Sequence, residues 1–482
     1  MTTEKEALCA HRVFYHFNEI CQIPHGSRNE KALSDFILRW AESLGLETRQ
    51  DGVNNVLIRK PAAPGLESAP AVMLQAHIDM VCEKAEGSAH DFAKDPIDWV
   101  IDGDVLSTGG KTTLGADDGI GVALAMAILE DKALRHPALE VLFTVCEEED
   151  FTGADSFDTT QMEASYLINL DNTDERLIVC GSCGGMQADF ELPVEWTAVP
   201  SGWAAYRVQV SGLRGGHSGE DIHRGRGNAN IFLARALMAV EQCGDFYLNS
   251  IRGGSFRLAI PRDAEAVFWM DSARLSTVQE ALAGLEADFR SELSATAANV
   301  TVTLEPTQAQ PFGAKPGPVL TAMTLIPDGI YQMNEVLTGL VDTSDNLGEI
   351  YLGEGGLHLI LEIRSARSSL GAYLFQRIQR LAGALGGTCR QSSAYPSWDF
   401  RPDSKLRQVY AQTYQSLFMT EPSYLTVHAG LEVGCFFRKK AGLDAISVGP
   451  DCWDFHSPTE SLRISSVKNV YQCLCAALAE IR

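Results

Sequence analysis

Apolar residues recur at two spacings in the first 180 residues, and their alternation predicts the layout. Leu33, Phe36, Ile37, Trp40 and Leu44 fall at helical intervals until Gly45. Ser27 and Glu30 have capping-box spacing at the start of that helix. Residues 71–80 (AVMLQAHIDM) read as a buried strand. A helix is expected after Asp118 through GIGVALAMAILED, then strands at 139–145 (LEVLFTV) and 166–170 (YLINL). Short buried strands separated by helices predict an α/β layer structure with a largely parallel sheet.

The pattern changes after Gly184-Gly185. Residues 203–210 (WAAYRVQV) alternate like a half-buried strand. A helix over 228–242, strands near 256–260 and 265–271, a helix at 276–293 and a strand at 299–305 follow. This β-α-β-β-α-β order is ferredoxin-like and suits an inserted α+β domain. Strands at 348–354 and 357–364 and a helix at 369–386 extend it. The earlier style returns near residue 399, with a strand at 445–449 (AISVG) and a closing helix at 465–481. The expectation is one α/β domain with a mostly parallel mixed sheet, split into 1–186 and 399–482, around an insert at 187–398.

A chain of 482 residues exceeds a single core, which agrees with that division. Its formal charge of -24 argues against nucleic acid or an anionic membrane as the main partner. The N-terminal MTTEKEALCAHRVFYHF lacks the basic and apolar regions of an export signal, and no apolar run is long enough to span a membrane. The 12 cysteines are scattered, so reduced thiols in a cytoplasm are expected. Cys180-Gly-Ser-Cys183 has no second pair at zinc-finger spacing.

Five acidic or histidine clusters stand where predicted strands end or in the loops just beyond: His77-Ile-Asp79, Gly115-Ala-Asp117-Asp118, Glu147-Glu148-Glu149, Asp171 and His456. Ligand crevices of open α/β sheets form at the carboxyl ends of strands. One histidine near a strand, or one EEE run, usually marks a structural residue or a solvated loop. Five clusters at equivalent positions are harder to dismiss. Two histidines with several carboxylates suit zinc or manganese better than calcium. The carboxylates exceed what one tetrahedral ion needs, and a bridged pair of metals would use them all. His77 and Asp79, two apart on a strand, share a face, so Asp79 is expected to hydrogen-bond the imidazole.

With these residues in view, the chain resembles the M20 zinc peptidases, specifically their aminoacyl-histidine dipeptidase branch. The similarity spans essentially the whole chain: QAHIDMVCE at 75–83, TTLGADDGIG at 112–121, EEEDFTGA at 147–154, LINLDN at 167–172, GGHSGEDIHRGRGNAN at 215–230, HAGLEVG at 428–434 and FHSPTE at 455–460. The resemblance implies a split catalytic domain and a ferredoxin-like lid that also forms a homodimer. It implies two zinc ions per subunit, a ligand set that also accepts manganese or cobalt. His77 and His456 would each bind one zinc, Asp117 would bridge them, and Glu148 and Asp171 would complete the set. Glu147 would be the general base and Asp79 the support of His77. Counting back six from Gly153 selects Glu147 over its neighbours as the base. His217 would stabilise the developing oxyanion from a partner's lid.

The implied substrate is an unblocked dipeptide, Xaa-His including β-Ala-His, cut by a hydroxide that the two metals generate. A free carboxylate is best read by arginine, and the resemblance points to Arg364, with Arg367 the nearby competitor and His428 a further pocket residue. One departure concerns the lid, where the family pattern Asn-x-Ile-Pro reads Leu258-Ala259-Ile260-Pro261. Leucine cannot replace the amide's hydrogen bonds. The rival expectations are an M20-type N-acyl-amino-acid amidohydrolase and a catalytically silent metal-binding member.

Overall fold

The computed structural model describes residues 4–335 and 339–482. The chain forms two compact units. The first comprises the residues up to Ser182, Trp398–Val427 and Leu431–Arg482; the second comprises Cys183–Ser397 and His428–Gly430.

The first unit is built on an eight-stranded sheet. Its order is Glu47–Gln50, Val56–Lys60, Leu139–Thr144, Val72–His77, Tyr166–Asn169, Asp444–Ser447, Leu177–Ser182 and Ser423–Val427. The central pairings are parallel, and both Val72–His77 and Leu139–Thr144 are buried at every position. Burial on both faces explains why these strands read as continuous apolar runs. Val72, Leu74 and Ala76 join a core with the helices Arg12–Cys21, Ala116–Glu130 and Ile464–Glu480. Met73 faces the other way, into a cluster with Leu142, Phe157 and Phe436. By strand alternation Gln75 and His77 share the face of Met73.

The helix expected after Ser27 spans Lys31–Ser43, with Glu30 rather than Ser27 at its N-cap position. The expected capping box does not form. Glu30 Oε1 instead accepts from the backbone N–H of Arg28 and of Cys146, while Ser27 turns towards Asp79.

On the helix Arg12–Cys21, His16 is buried, and that burial pushes its imidazole pKa down to about 4. Glu130 Oε2 stands 3.1 Å from Nε2 but outside hydrogen-bond alignment, and its charge only partly opposes the shift. A folded pKa below the unfolded one means that unfolding takes up a proton. Stability is therefore expected to fall as the pH drops from about 6.5 to about 4, by up to about 3 kcal/mol. Urea unfolding at pH 7 and pH 4.5 checks this: His16→Gln should show a shallower acid loss than the unsubstituted protein.

The second unit contains the expected β-α-β-β-α-β order. Strands Thr301–Pro306, Ala204–Ser211, Ala264–Met270 and Phe246–Gly253 pair antiparallel in that spatial order. Helices Ala229–Gln242 and Leu275–Glu292 complete the ferredoxin-like arrangement. The sheet continues through Val341–Gly353, Gly356–Ser365, Gly184–Leu192 and Thr388–Tyr395. Two strands differ from expectation. The long strand before Pro261 is Phe246–Gly253, and only Ala259–Ile260 is extended near 256–260. A register shift between Leu248 and Ser250 breaks the alternation that would have revealed it. The strand Val341–Gly353 starts earlier than 348, because Asp342 to Asn346 are polar yet buried.

Candidate active site

Parallel neighbours bring their carboxyl ends to one edge of the sheet, and the acidic and histidine clusters stand there. His77 closes its strand, and Asp171 follows Tyr166–Asn169. Glu147 and Glu148 open a short helical turn, Glu147–Asp150, between Cys146 (φ 54°) and Phe151 (φ 58°). Non-glycine residues at such φ are costly and persist only where their surroundings hold them. Gly153 helps: its N–H donates to Val145 O at 2.9 Å, and a side chain there would run into the Val145 backbone. His456 sits in the loop joining Cys452–Trp453 to Ser461–Arg463, which pair antiparallel.

Asp117 is the meeting point. Its Oδ1 lies 3.2 Å from His77 Nε2, and its Oδ2 lies 3.3 Å from His456 Nε2. Asp171 Oδ1 is 3.9 Å from His77 Nε2, and Glu148 is 2.9 Å from His456 Nε2. Two groups of ligand atoms result, His77–Asp117–Asp171 and Asp117–Glu148–His456, each gathered within 4.8 Å. His77, Glu147 and Glu148 form a third such group. Carboxylates so close together repel one another. Burial and the Asp117 charge accordingly hold the Asp171 carboxyl well above its usual range. Mixed nitrogen and oxygen donors around concentrated negative charge fit a pair of divalent cations sharing Asp117.

The supporting contacts differ in detail from expectation. His77 Nδ1 lies 3.0 Å from the backbone carbonyl of Asp79 and 3.5 Å from its carboxylate, so the carbonyl is the nearer partner. With Nδ1–H donating there, Nε2 is left as a lone-pair donor toward the cluster. The strand ends at His77, which frees the Asp79 side chain from its alternation. The Asp79 carboxylate instead accepts from Ser27 Oγ (2.8 Å) and from the N–H groups of Glu147 (3.0 Å) and Glu148 (3.3 Å). Asp79 thus holds the acidic turn with its carboxylate and the histidine with its carbonyl. Burial, with the charges of Glu148, Glu432 and Asp117, raises the Glu147 carboxyl well above its ordinary value, while His77 opposes the shift. Glu149 points away, to Arg28 at 2.7 Å. Asp118 accepts from the N–H groups of His77 and Gly121, both at 3.2 Å, and belongs to none of the ligand groups.

Two buried acids escaped the sequence reading. Glu432 accepts from Gln75 (2.6 Å) and Thr144 (2.7 Å) beneath His77. Glu460, the last residue of FHSPTE, accepts from four consecutive backbone N–H groups, those of Leu114 to Asp117. An acid in the same short motif as His456 was the only available signal.

In the second unit, His217, Arg364 and His428 lie together. His217 Nδ1 accepts from the N–H groups of Gly219 (3.3 Å) and Glu220 (3.1 Å), which leaves the proton on Nε2. Burial, then the Arg364 charge, lowers its pKa and keeps the ring neutral. Arg364 is buried and donates to Tyr395 Oη at 2.8 Å. His428 Nε2 lies 2.7 Å from Ser344 Oγ, and burial with the Arg364 charge pushes its pKa down to about 3. Arg367 is more exposed, 4.0 Å from Asp342. Leu258 adjoins this group through its backbone carbonyl, which accepts from Ser218 N–H at 2.8 Å.

Cytosol non-specific dipeptidase of Escherichia coli (strain K12) is 35% identical over 468 residues, covering 96% of each chain. The crystal structure of aminoacylhistidine dipeptidase from Vibrio alginolyticus matches with a TM-score of 0.94 and 34% identity, over 100% of this chain and 98% of that one. Aminopeptidase PepT from Bacillus cereus shares the fold, with a TM-score of 0.56 and 14% identity over 98% of each chain. The pattern of Peptidase family M20/M25/M40 matches residues 73–480, and the chain belongs to that family.

Proposed function

We propose that this protein is a two-cation dipeptidase acting on small unblocked peptides, Xaa-His dipeptides including β-Ala-His foremost. The observation that carries the reading is Asp117, whose two oxygens face different histidines and join two ligand groups. His77, Asp171 and Asp117 would hold one ion; Glu148, His456 and Asp117 would hold the other. Zinc is the proposed metal, with manganese and cobalt accepted by the same donors. Bound there, the ions would polarise the scissile carbonyl and make water acidic enough to ionise near neutral pH.

The protein's own groups supply the remainder. Glu147 takes the proton of the attacking water and returns it to the leaving amine. Asp79 keeps Glu147 and His77 in register through the contacts described above. Arg364 reads the substrate's free carboxylate, with His428 beside it. Residues 187–398, which include His217 and Arg364, are proposed as a lid and dimerisation domain, flanked by catalytic segments 1–186 and 399–482. His217 Nε2–H donates to the developing oxyanion from the lid of a partner subunit, in a cytoplasmic homodimer. Among the described residues no helix is long and apolar enough to cross a membrane. Leucine at 258 offers no side-chain hydrogen bond, so substrate preference is expected to differ from that of relatives with asparagine there.

Removing the oxyanion donor should act on turnover. His217→Ala is expected to lower kcat about 10²–10³-fold, with KM changed much less. Steady-state kinetics on Gly-His, with metal content measured alongside, checks this. Hydrolysis of a panel comprising β-Ala-His, Gly-His, Ala-Leu and an N-acetyl amino acid tests the proposal itself. Cleavage of the unblocked dipeptides supports it. Cleavage of the acetylated compound alone moves the chain to the amidohydrolase reading, and no turnover with zinc, manganese or cobalt leaves a silent metal-binding protein.

A further inference from the structure

The segment that carries Asp117 has an unusual anchor. Gly115 adopts φ 69°, and Asp117 and Asp118 depart from helical geometry before the helix settles; the Gly119 N–H bond to Gly115 O (3.1 Å) holds a carbonyl, so helix hydrogen bonds do not engage the N–H groups of residues 114–117. One side chain does. Glu460 is 2% exposed, and its Oε2 accepts from Leu114 N (2.6 Å) and Gly115 N (3.0 Å). Its Oε1 accepts from Ala116 N (2.8 Å) and Asp117 N (3.3 Å). A carboxylate taking four main-chain donors satisfies the orphan N–H groups that begin the helix, and charge-assisted bonds are stronger than neutral ones.

The origin of Glu460 gives this contact its consequence. It immediately precedes the strand Ser461–Arg463, which pairs with Cys452–Trp453 on one side and Val105–Ser107 on the other. The loop between the first two strands contains His456. Two metal-ligand candidates, Asp117 and His456, are thus far apart in sequence and sit on separate irregular segments. Glu460 is four residues from one of them, and it grips the backbone of the other directly.

We propose that Glu460 is a positioning residue that sets the spacing between Asp117 and His456, and so governs the affinity of the cation those two share with Glu148. The proposal rests on the two-cation reading of the site. His77 ends one core strand and Asp171 follows another, so both depend far less on this clasp, and loss of Glu460 should weaken one ion much more than the other. Partners that orient metal ligands typically account for ten- to a hundredfold in affinity.

The test is titration of metal-free protein with cobalt(II), followed by visible absorption and calorimetry, for the unsubstituted chain, Glu460→Gln and Glu460→Asp. Glutamine keeps the length but offers one acceptor oxygen; aspartate keeps both oxygens but withdraws them by about 1.5 Å. The expected result is two ions in the unsubstituted protein. In the folded variants, one ion should bind nearly normally and the second ten- to a hundredfold more weakly, with an altered cobalt spectrum. Two ions bound normally by a folded variant would overturn the positioning role and leave the two-cation site standing. Fewer than two ions in the unsubstituted protein would instead overturn the reading beneath it. Amide hydrogen exchange of residues 114–117 in the metal-free unsubstituted protein gives a check that does not depend on the variants' folding: slow exchange is expected, and fast exchange rejects the clasp.

Discussion

Glu147→Gln should lower kcat by about 10²–10⁴-fold, the usual contribution of a positioned general base, while the protein still binds two cations. The substitution preserves the side chain's size and the Glu147 N–H bond to Asp79 Oδ1 at 3.0 Å. What it removes is a proton acceptor whose buried setting raises its affinity for protons. Glu148→Gln makes the contrast. Glu148 contacts His456 at 2.9 Å and belongs to the group around Asp117, so its loss should reduce metal content before it reduces turnover at saturating metal. Kinetics paired with metal analysis on both variants separates base from ligand. If the Glu147 variant lost a cation and the Glu148 variant did not, the two roles would be exchanged.

Asp117→Ala should have a larger effect, because both ligand groups pass through that carboxylate. Losing both ions forfeits several kcal/mol of charge stabilisation, so activity should fall on the order of 10⁴-fold or more. Stability gives a second readout. Adding zinc to the metal-free unsubstituted protein should raise its Tm, since about 2.7 kcal/mol accrues at a hundredfold excess over Kd. The alanine variant should show little of that rise. An Asp117→Ala protein that kept two tightly bound ions would place the shared ligand elsewhere.

The parts of this picture that rest on repeating chemistry were legible in the chain itself. Val72–His77 and Leu139–Thr144 were visible because strands buried on both faces are apolar throughout. The ferredoxin-like order was visible because its helices are long and its strands mostly alternate. Three of the acidic and histidine clusters stood out because they end or follow such a strand, whereas Asp117 opens a helix and His456 lies in a loop between two short strands. Other features depend on tertiary partners that no local pattern encodes. Ser27 and Glu30 have capping-box spacing, yet Ser27 serves Asp79 and Glu30 serves Cys146, 116 residues away. Asp342 to Asn346 look like a loop but lie buried in a strand. Glu460 looks like a surface acid until the fold brings 114–117 against it.

Reconstitution of metal-free protein with zinc, followed by hydrolysis of Gly-His at each added equivalent, addresses the central claim most directly. The account predicts negligible turnover in chelator, and activity that keeps rising until the second equivalent per chain is bound. Full activity without metal, or a plateau at one equivalent with no further binding, would contradict a centre in which Asp117 joins two cations.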